Sequence, residues 1–333
     1  MKSIVLPAYN KNVLRAMLSL QTQEKSIPSL KADEVLIKTH AAPVNPSDVA
    51  FIQGAYNIIK TLPAVPGFEG SGVIVDAGKN AKHLTGKKVS AFVQTDTDGS
   101  WAEYFVANKN DLIILKEEMD MDQASCFTVN PFTAYALTQI ALIRESRAII
   151  QNAAGGQVAA LTRMMAKEND IDVINIVRKP ELAEQLKQKG VIHALVQNEE
   201  DFEEKLTSLS NELHATTAFD AVGGELSGQM FNALSDDSEL VVYGGLSNKA
   251  MAGIDLMDVI FRNKIISGFN LVEWKNELEE SEFEQISEKL QDKFIDGTYN
   301  TFIQDSVTLD DIVKGLKSYL GNMSGGKILI KPQ

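Results

Sequence analysis

Between Ile149 and Lys179 the chain places the residue types needed to hold a phosphate-bearing ligand. A β-branched pair, Ile149-Ile150, leads into the small-residue turn Ala153-Ala154-Gly155-Gly156. An amphipathic stretch from Val158 to Ala166 follows, and then the apolar run Val173–Val177 ends in Arg178-Lys179. Strand, glycine turn, helix and strand in this order form a dinucleotide-binding βαβ unit. The turn lets a pyrophosphate lie against backbone N–H groups at a helix N-terminus. About 20 residues past such a turn, an NAD site places an acidic side chain on the ribose 2′-hydroxyl. Here the strand end is basic, which suits a 2′-phosphate, so the segment predicts NADP(H) rather than NAD. Gln157 and Ala159 stand near where further glycines are expected, and Gln157 crowds the phosphates unless it hydrogen-bonds them. A strand–turn–helix without any cofactor is the other reading of the same residues.

The elements that must position this turn show in a change of hydrophobic period. Up to about residue 117 the chain reads as short strands broken by Gly, Pro and Asn, among them Val35–Thr39, Gly72–Val75, Lys88–Val93 and Trp101–Val106. From about Asp120 strand-like runs alternate with helical ones: Ala148–Ile150, Val173–Val177, Ala194–Val196, Ala218–Val222, Leu240–Tyr243 and Lys264–Phe269. That alternation predicts a doubly wound parallel α/β sheet. A charged helix is expected over Asn276–Phe294, followed by a strand at Thr301–Val307, a helix at Leu309–Leu320 and a closing strand at Lys327–Lys331. The expectation is a β-rich domain, 1–117 with 268–333, interrupted by a Rossmann domain, 118–267.

With 333 residues the length suits about two domains. The 45 acidic and 32 basic residues give a net charge of −13, which repels nucleic acid and anionic membranes. A single cysteine, Cys126, excludes an internal disulfide framework and fits a reducing compartment. No run approaches the roughly 20 apolar residues of a membrane span. The N-terminus is strand-like, with no Arg/Ser-rich amphipathic presequence. A cytoplasmic protein is the expectation.

Several strings resemble the medium-chain dehydrogenase/reductase superfamily. They are Ala42-Pro43-Val44-Asn45-Pro46-Ser47-Asp48, Ile52-Gln53-Gly54-Ala55-Tyr56, Pro66-Gly67-Phe68-Glu69-Gly70 and Val129-Asn130-Pro131-Phe132-Thr133-Ala134-Tyr135. Ile150-Gln151-Asn152-Ala153, Asn175-Ile176-Val177-Arg178, Val222-Gly223-Gly224 and Tyr243-Gly244-Gly245 continue the likeness. It is most specific to the zinc-free branch of mitochondrial-type 2-enoyl thioester reductases, with quinone reductases as near relatives. The fold it implies is a GroES-like catalytic domain around the Rossmann domain. Zinc is not expected: Phe68 stands where zinc enzymes carry a histidine, and His40, His83, His193 and His214 lack ligand spacing.

The resemblance also implies roles. Tyr56 would donate the proton taken up at the α-carbon of an enoyl thioester after hydride reaches the β-carbon, since a phenol is neutral at pH 7 and can be placed as a general acid. Packing at a loop tip is the other reading of Tyr56, and a tyrosine stands at a similar place in quinone reductases. Asn45 and Asn130 would face the nicotinamide, or serve only as caps before proline. Gly155, Gly156, Gln157 and Val158 would surround the pyrophosphate. Arg178, with Lys179, would pair with the 2′-phosphate, Arg178 bidentately. Tyr243, Gly244, Gly245 and Leu246 would wall a ribose. Phe269, Asn270 and Leu271 would contact the nicotinamide, and Lys327 would reach the cofactor or remain a solvated edge lysine. The family carries Trp where Asn270 stands and a second Trp at the position of Trp274, so a more open nicotinamide wall is expected.

Three functions compete: an NADPH-dependent enoyl thioester reductase, an NADPH:quinone or enone reductase, and an NADPH-binding protein without turnover. A thioester carrier is anionic and calls for a basic cluster; the linear sequence shows none clearly, and Lys60 near Tyr56 is one candidate. A small-molecule substrate is implied in the first two cases. A homodimer is expected, joined at a sheet edge formed by Leu240–Gly245 and Ile265–Phe269, residues that would serve equally well as core.

Overall fold

A computed structural model describes residues 1–93 and 97–332. They form two compact units, one of Met1–Asn130 with Ser281–Gln333 and one of Pro131–Glu280. The first contains β1 (Lys2–Val5), β2 (Gln21–Glu24), β3 (Glu34–Pro43), β4 (Glu69–Ala77), β5 (Lys88–Phe92), β6 (Tyr104–Asn108) and β7 (Leu112–Ile114). The second contains β8 (Ala148–Gln151), β9 (Asp172–Val177), β10 (His193–Val196), β11 (Ala215–Asp220), β12 (Glu239–Val242) and β13 (Ile265–Gly268). The chain then returns to the first unit for β14 (Ile303–Val307) and β15 (Lys327–Ile330).

In the first unit β1 and β2 form an antiparallel ribbon. The main sheet runs β14-β15-β3-β4-β5-β7, with β6 also paired to β3. Successive side chains of a strand alternate faces, so Val35 and Ile37 enter one core with Ile74, Val89 and Phe105. Ile328 and Ile330 enter another with Phe51, Phe68, Trp101 and Leu316. Cys126 is buried against Ala41 and Leu329, and burial pushes its thiol up to about 12, too high for a nucleophile at neutral pH.

The second unit is a six-stranded parallel sheet in the order β10-β9-β8-β11-β12-β13. A strand covered on both faces reads as a continuous apolar run. In β8, accordingly, Ile150 packs with Ile174, Ala218 and Leu240 on one side, while Ile149 packs with Leu137, Phe219 and Val241 on the other. The helix Gln157–Glu168 buries Leu161, Thr162, Met165 and Ala166 at helical spacing.

Three details differ from the reading of the sequence. The units divide at 130/131 and 280/281, not 117/118 and 267/268. The period changes where helices begin, but the helix Met121–Ser125 still packs on β3, β4 and β5, and Trp274 meets Phe269 and Tyr135 inside the second unit. The charged helix expected over 276–294 is two, Leu271–Glu277 and Glu280–Ile295, because Leu278 is extended (φ −84°, ψ 145°). Of the two stretches proposed as a sheet edge, Leu240–Val242 lies in the interior strand β12, and only β13 is an edge. Among the described residues no helix is long and apolar enough to cross a membrane.

Candidate functional site

In the second unit the strand order reverses between β8 and β11, and ligands of such sheets bind at the carboxyl ends of the strands flanking that reversal. Both ends carry small-residue turns. After β8, Ala153 takes a left-handed conformation (φ 47°), and the Gly156 N–H closes the turn on the Ala153 carbonyl at 2.8 Å. Gly156 is then the N-cap of the helix Gln157–Glu168. Gln157 and Val158 are therefore the first residues of that helix, whose N-terminal N–H groups have no intrahelical acceptor. The end of β11 is fixed from below by Asp220. Its Oδ1 accepts from Asn152 Nδ2 at 2.6 Å, Val222 N–H at 2.8 Å and Gly223 N–H at 2.9 Å, and its Oδ2 accepts from the Ser227 hydroxyl at 2.5 Å. Asn152 answers by accepting the Ala221 N–H at 2.8 Å. A buried carboxylate supplied with donors in this way holds the two strand ends rigidly.

The basic end of β9 lies beside the turn, because the Ala154 N–H donates to the Ile176 carbonyl at 3.1 Å. Arg178 and Lys179 are exposed, and neither forms an ion pair among the described residues. Lys179 is also the N-cap residue of the helix Pro180–Gln188. Tyr243 and Gly244 follow β12 and bond by their N–H groups to the Asp220 carbonyl, at 2.9 and 3.3 Å. A Cβ on Gly244 would meet the Ala221 carbonyl at 2.9 Å, so this close approach needs glycine. Gly245 and Leu246 are exposed, and Tyr243 is half-buried; burial and Asp220 both push its phenol up, so it stays neutral. Phe269 continues β13 and donates its N–H to the Val242 carbonyl at 2.9 Å. Asn270 is the N-cap of the helix beginning at Leu271, its Oδ1 accepting from the Val272 N–H at 2.9 Å. Trp274, on that helix, lies with its ring centroid 6.5 Å from Phe269 and 6.3 Å from Tyr135.

In the first unit the helix Pro46–Gln53 ends on Gly54 in the left-handed conformation (φ 69°), which turns the chain so that half-buried Tyr56 packs against Phe68. Their ring centroids are 5.2 Å apart. Lys60 is not a cation at an open mouth: it is 4% exposed, its Nζ donates to the Thr97 carbonyl at 2.5 Å, and it lies over the rings of Phe51 and Phe68.

Asn45 and Lys327 meet in a buried polar chain. Lys327 Nζ donates to Asn45 Oδ1, and Asn45 Nδ2 donates to Glu69 Oε2 at 3.0 Å. Glu69 Oε1 accepts from the Thr128 hydroxyl at 2.9 Å and the Val129 N–H at 3.0 Å. This chain therefore fixes the segment entering the helix Asn130–Ile143, whose first residue is Asn130. Lys327 is not a solvated edge lysine, because β15 lies between β14 and β3. The capping contact of Asn45 is made by its backbone N–H, which donates to Asp48 Oδ2 at 2.7 Å. Burial raises the Glu69 carboxyl above its ordinary range, and Lys327 opposes the rise. Burial likewise pushes Asp48 up to about 7, with the Asn45 and Phe68 N–H groups acting in the opposite direction.

Sequence reasoning assigned no role to Glu69, Asp220, Asn152 or Arg163. Asp220 had a signal, an acid closing an apolar strand before Val222-Gly223-Gly224. Glu69 stood in a quoted string without a role, since its partners are far away in the chain.

A glycine turn at the switch point of a parallel sheet, joined in one chain to a mainly antiparallel β unit, defines a dinucleotide-binding dehydrogenase architecture. Residues 31–117 match the family model described as alcohol dehydrogenase GroES-like domain, and residues 158–290 the one described as zinc-binding dehydrogenase. Mitochondrial enoyl-[acyl-carrier-protein] reductase of Xenopus tropicalis is 30% identical over 266 residues, 78% of this chain and 75% of that protein. The Homo sapiens protein of the same name is 28% identical over 307 residues, 90% of this chain and 81% of that protein. A crystal structure assigned as an NADPH:quinone reductase of Mesorhizobium loti superposes with a TM-score of 0.94 at 32% identity, covering 100% of this chain and 98% of that one. The Candida tropicalis mitochondrial 2-enoyl thioester reductase Etr1p/Etr2p shares the fold, with a TM-score of 0.80 at 22% identity over 99% of both chains. The chain belongs to the medium-chain dehydrogenase/reductase superfamily, in the branch of the enoyl thioester and NADPH:quinone reductases. It is an oxidoreductase of that family. Among the described residues no group of three or more His, Cys, Asp or Glu is placed to hold a metal ion.

Proposed function

We propose that the protein is an NADPH-dependent reductase of the activated C=C bond of a 2-enoyl thioester. The observation carrying the choice of NADPH is the strand end Val177-Arg178-Lys179, where two exposed cations, without carboxylate partners among the described residues, follow β9 beside the glycine turn. The first-turn N–H groups at Gln157 and Val158 would hold the pyrophosphate, and Arg178 with Lys179 the 2′-phosphate. Tyr243 to Leu246 would wall a ribose, and Phe269 to Leu271 would flank the nicotinamide. Asn45 and Asn130 would face the nicotinamide, and Lys327 would reach the cofactor. The chemistry a bound nicotinamide supplies here is hydride donation. Hydrogen bonds would stabilise the charge developing on the substrate, and Tyr56 would hold the proton delivered to its α-carbon. The likeness to enoyl reductases across 78–90% of the chain supports this substrate class.

One observation favours a quinone or enone acceptor instead. Lys60 is buried and bound to Thr97 and so offers no charge to an anionic carrier. The deciding experiment follows NADPH oxidation with 2-hexenoyl-CoA and a 1,4-quinone, in the wild type and Tyr56→Phe. Loss of a general acid typically costs about 10²–10⁴-fold. Enoyl turnover falling by that amount, with NADPH affinity kept, supports the thioester reading. Quinone turnover indifferent to Tyr56, with no enoyl turnover, makes this a quinone reductase. Tight NADPH binding with neither turnover leaves a non-catalytic binder.

The proposal includes a homodimer joined through β13. Ile265 and Ile266 on this edge strand are 45% and 40% exposed, and Leu256, Ile260 and Phe261 just before it are also exposed. An apolar sheet edge of this kind is a template for pairing with another strand. Sedimentation of Ile266→Lys tests it: a monomer is expected, and an unchanged dimer rejects this edge. Cell fractionation tests whether the protein is cytoplasmic, as its composition led us to expect, or shares the compartment named for its mitochondrial relatives.

A further inference from the structure

Arg163 lies on the second turn of the helix Gln157–Glu168, beneath the glycine turn. Its Nη1 donates to the Ala154 carbonyl at 2.6 Å and to the Asn175 amide oxygen at 3.1 Å. That amide oxygen also accepts from Gln151 Nε2 at 2.8 Å, and Asn175 Nδ2 is taken up by the carbonyls of Val173 and His193. Both acceptors of the guanidinium are thus neutral. Among the described residues no carboxylate is within ion-pair distance of Arg163, although the chain carries 45 acidic residues. Two other inward-facing cations differ, Arg144 being paired with Glu239 and Lys264 with Asp258. Buried Lys60 and Lys327 donate to neutral oxygens, Lys327 with Glu69 one hydrogen bond further on. Desolvation draws the Arg163 pKa down to about 10, so the group remains charged at neutral pH. A partly buried charge is costly unless an opposite charge compensates it, and here no described residue supplies one.

We propose that the missing counter-anion is the phosphate-bearing part of the dinucleotide, and that Arg163 is a positioning residue for it. The inference rests on the NADPH reading above. Arg163 acts in two ways. It pins the Ala154 carbonyl while Ile176 holds the Ala154 N–H, which fixes the turn from both sides. It also places a permanent positive charge under that turn, in surroundings where water screens it poorly. Gln157 and Ala159 stand where glycines would let the backbone approach the phosphates more closely. A fixed cation beneath the turn restores attraction without that approach.

The test separates the charge from the hydrogen bond. Arg163→Gln retains a donor for Ala154 without the charge, Arg163→Lys retains the charge, and Arg163→Met removes both. Affinities for NADPH and 2′,5′-ADP are measured by titration at low and high salt, with melting temperatures of the ligand-free proteins alongside. Arg163→Gln should weaken NADPH about 10-fold and flatten the salt dependence, while Arg163→Lys stays within about 3-fold of wild type. Ligand-free Arg163→Met loses two hydrogen bonds but also a desolvated charge, so its melting temperature should stay close to wild type. Wild-type affinity in Arg163→Gln overturns the inference, as does a lowered melting temperature of Arg163→Met combined with equal loss in Arg163→Lys, which would mark a structural arginine. If the wild type binds no dinucleotide at all, the cofactor reading fails and takes this inference with it. If only the variants behave unexpectedly, the cofactor reading survives.

Discussion

In the first unit, Lys327, Asn45, Glu69 and Thr128 form a closed chain in which donors face acceptors and a cation lies near a carboxylate. At the glycine turn of the second unit, Arg163 meets only neutral oxygens, and among the described residues Arg178 and Lys179 meet no carboxylate. Both regions sit where the family resemblance puts cofactor contacts. Their electrostatics differ in kind. The first is complete within the protein and serves to hold backbone segments, while the second is positive and unbalanced, as a site for an anionic ligand must be before the ligand arrives.

The largest expected effect tests whether the first region is closed. Lys327 and Glu69 are linked through Asn45, and removing one of two buried opposite charges leaves the other uncompensated, at a cost of up to about 3–5 kcal/mol. Glu69→Ala should lower the unfolding free energy by that amount in urea titrations. A loss below about 1 kcal/mol would mean that Lys327 finds another partner and that the chain is not closed.

Next in size is a pH effect of the same region. An unfolded Asp48 gives up its proton near its ordinary value of 3.8, and the folded, buried carboxyl does so at about 7. Between these values the folded state holds the proton more tightly, so the stability it contributes is full below about pH 4 and is lost as pH rises to about 7. The slope is at most about 1.4 kcal/mol per pH unit. Glu69 is shifted in the same direction, and Lys327 and Tyr319 also face Asp48. Asp48→Asn should therefore flatten the decline between pH 4 and 7 without abolishing it. An equally steep decline in the variant would remove Asp48 from the account.

The second region is sharpened by Arg178. Replacing it with Ala should weaken NADPH about 10- to 100-fold, equivalent to about 1.4–2.7 kcal/mol, and leave NADH affinity unchanged. Equal losses for both cofactors would place Arg178 against the pyrophosphate, or make it structural, and would withdraw the 2′-phosphate assignment.

What the sequence disclosed and what it hid divide along the same line. The parallel sheet was legible because buried parallel strands are continuous apolar runs, such as Val173–Val177, and the glycine turn because Ala153 to Gly156 are contiguous. Local patterns of this kind survive in one dimension. The closed chain was not legible: Lys327 and Asn45 are 282 positions apart, and nothing near Lys327 says that it is buried. Arg163 was hidden for another reason. On an amphipathic helix an arginine reads as a solvated residue, and only the fold shows that it curls back under Ala154. The division at 130/131 was missed because the helix Met121–Ser125 has a helical pattern but packs with the strands of the first unit.

The smallest expected effect concerns Asn270, which the family likeness set beside the nicotinamide. Its side chain caps the helix Leu271–Glu277, and replacing an N-cap by Ala costs about 1 kcal/mol. Asp and Ser can accept the same N–H bonds. If Asn270 acts only as a cap, Asn270→Ser should match wild type in stability and turnover, and Asn270→Ala should lose about 1 kcal/mol with little change in KM. The short helix also carries Trp274 toward Phe269 and Tyr135, so fraying it should appear in the tryptophan fluorescence of Asn270→Ala but not of Asn270→Ser. If instead Asn270→Ser keeps its stability and fluorescence yet loses turnover, the side chain does more than cap. Asn270 would then belong with Arg178 among the groups that meet the ligand, and the contrast between closed and open regions would extend to the end of β13.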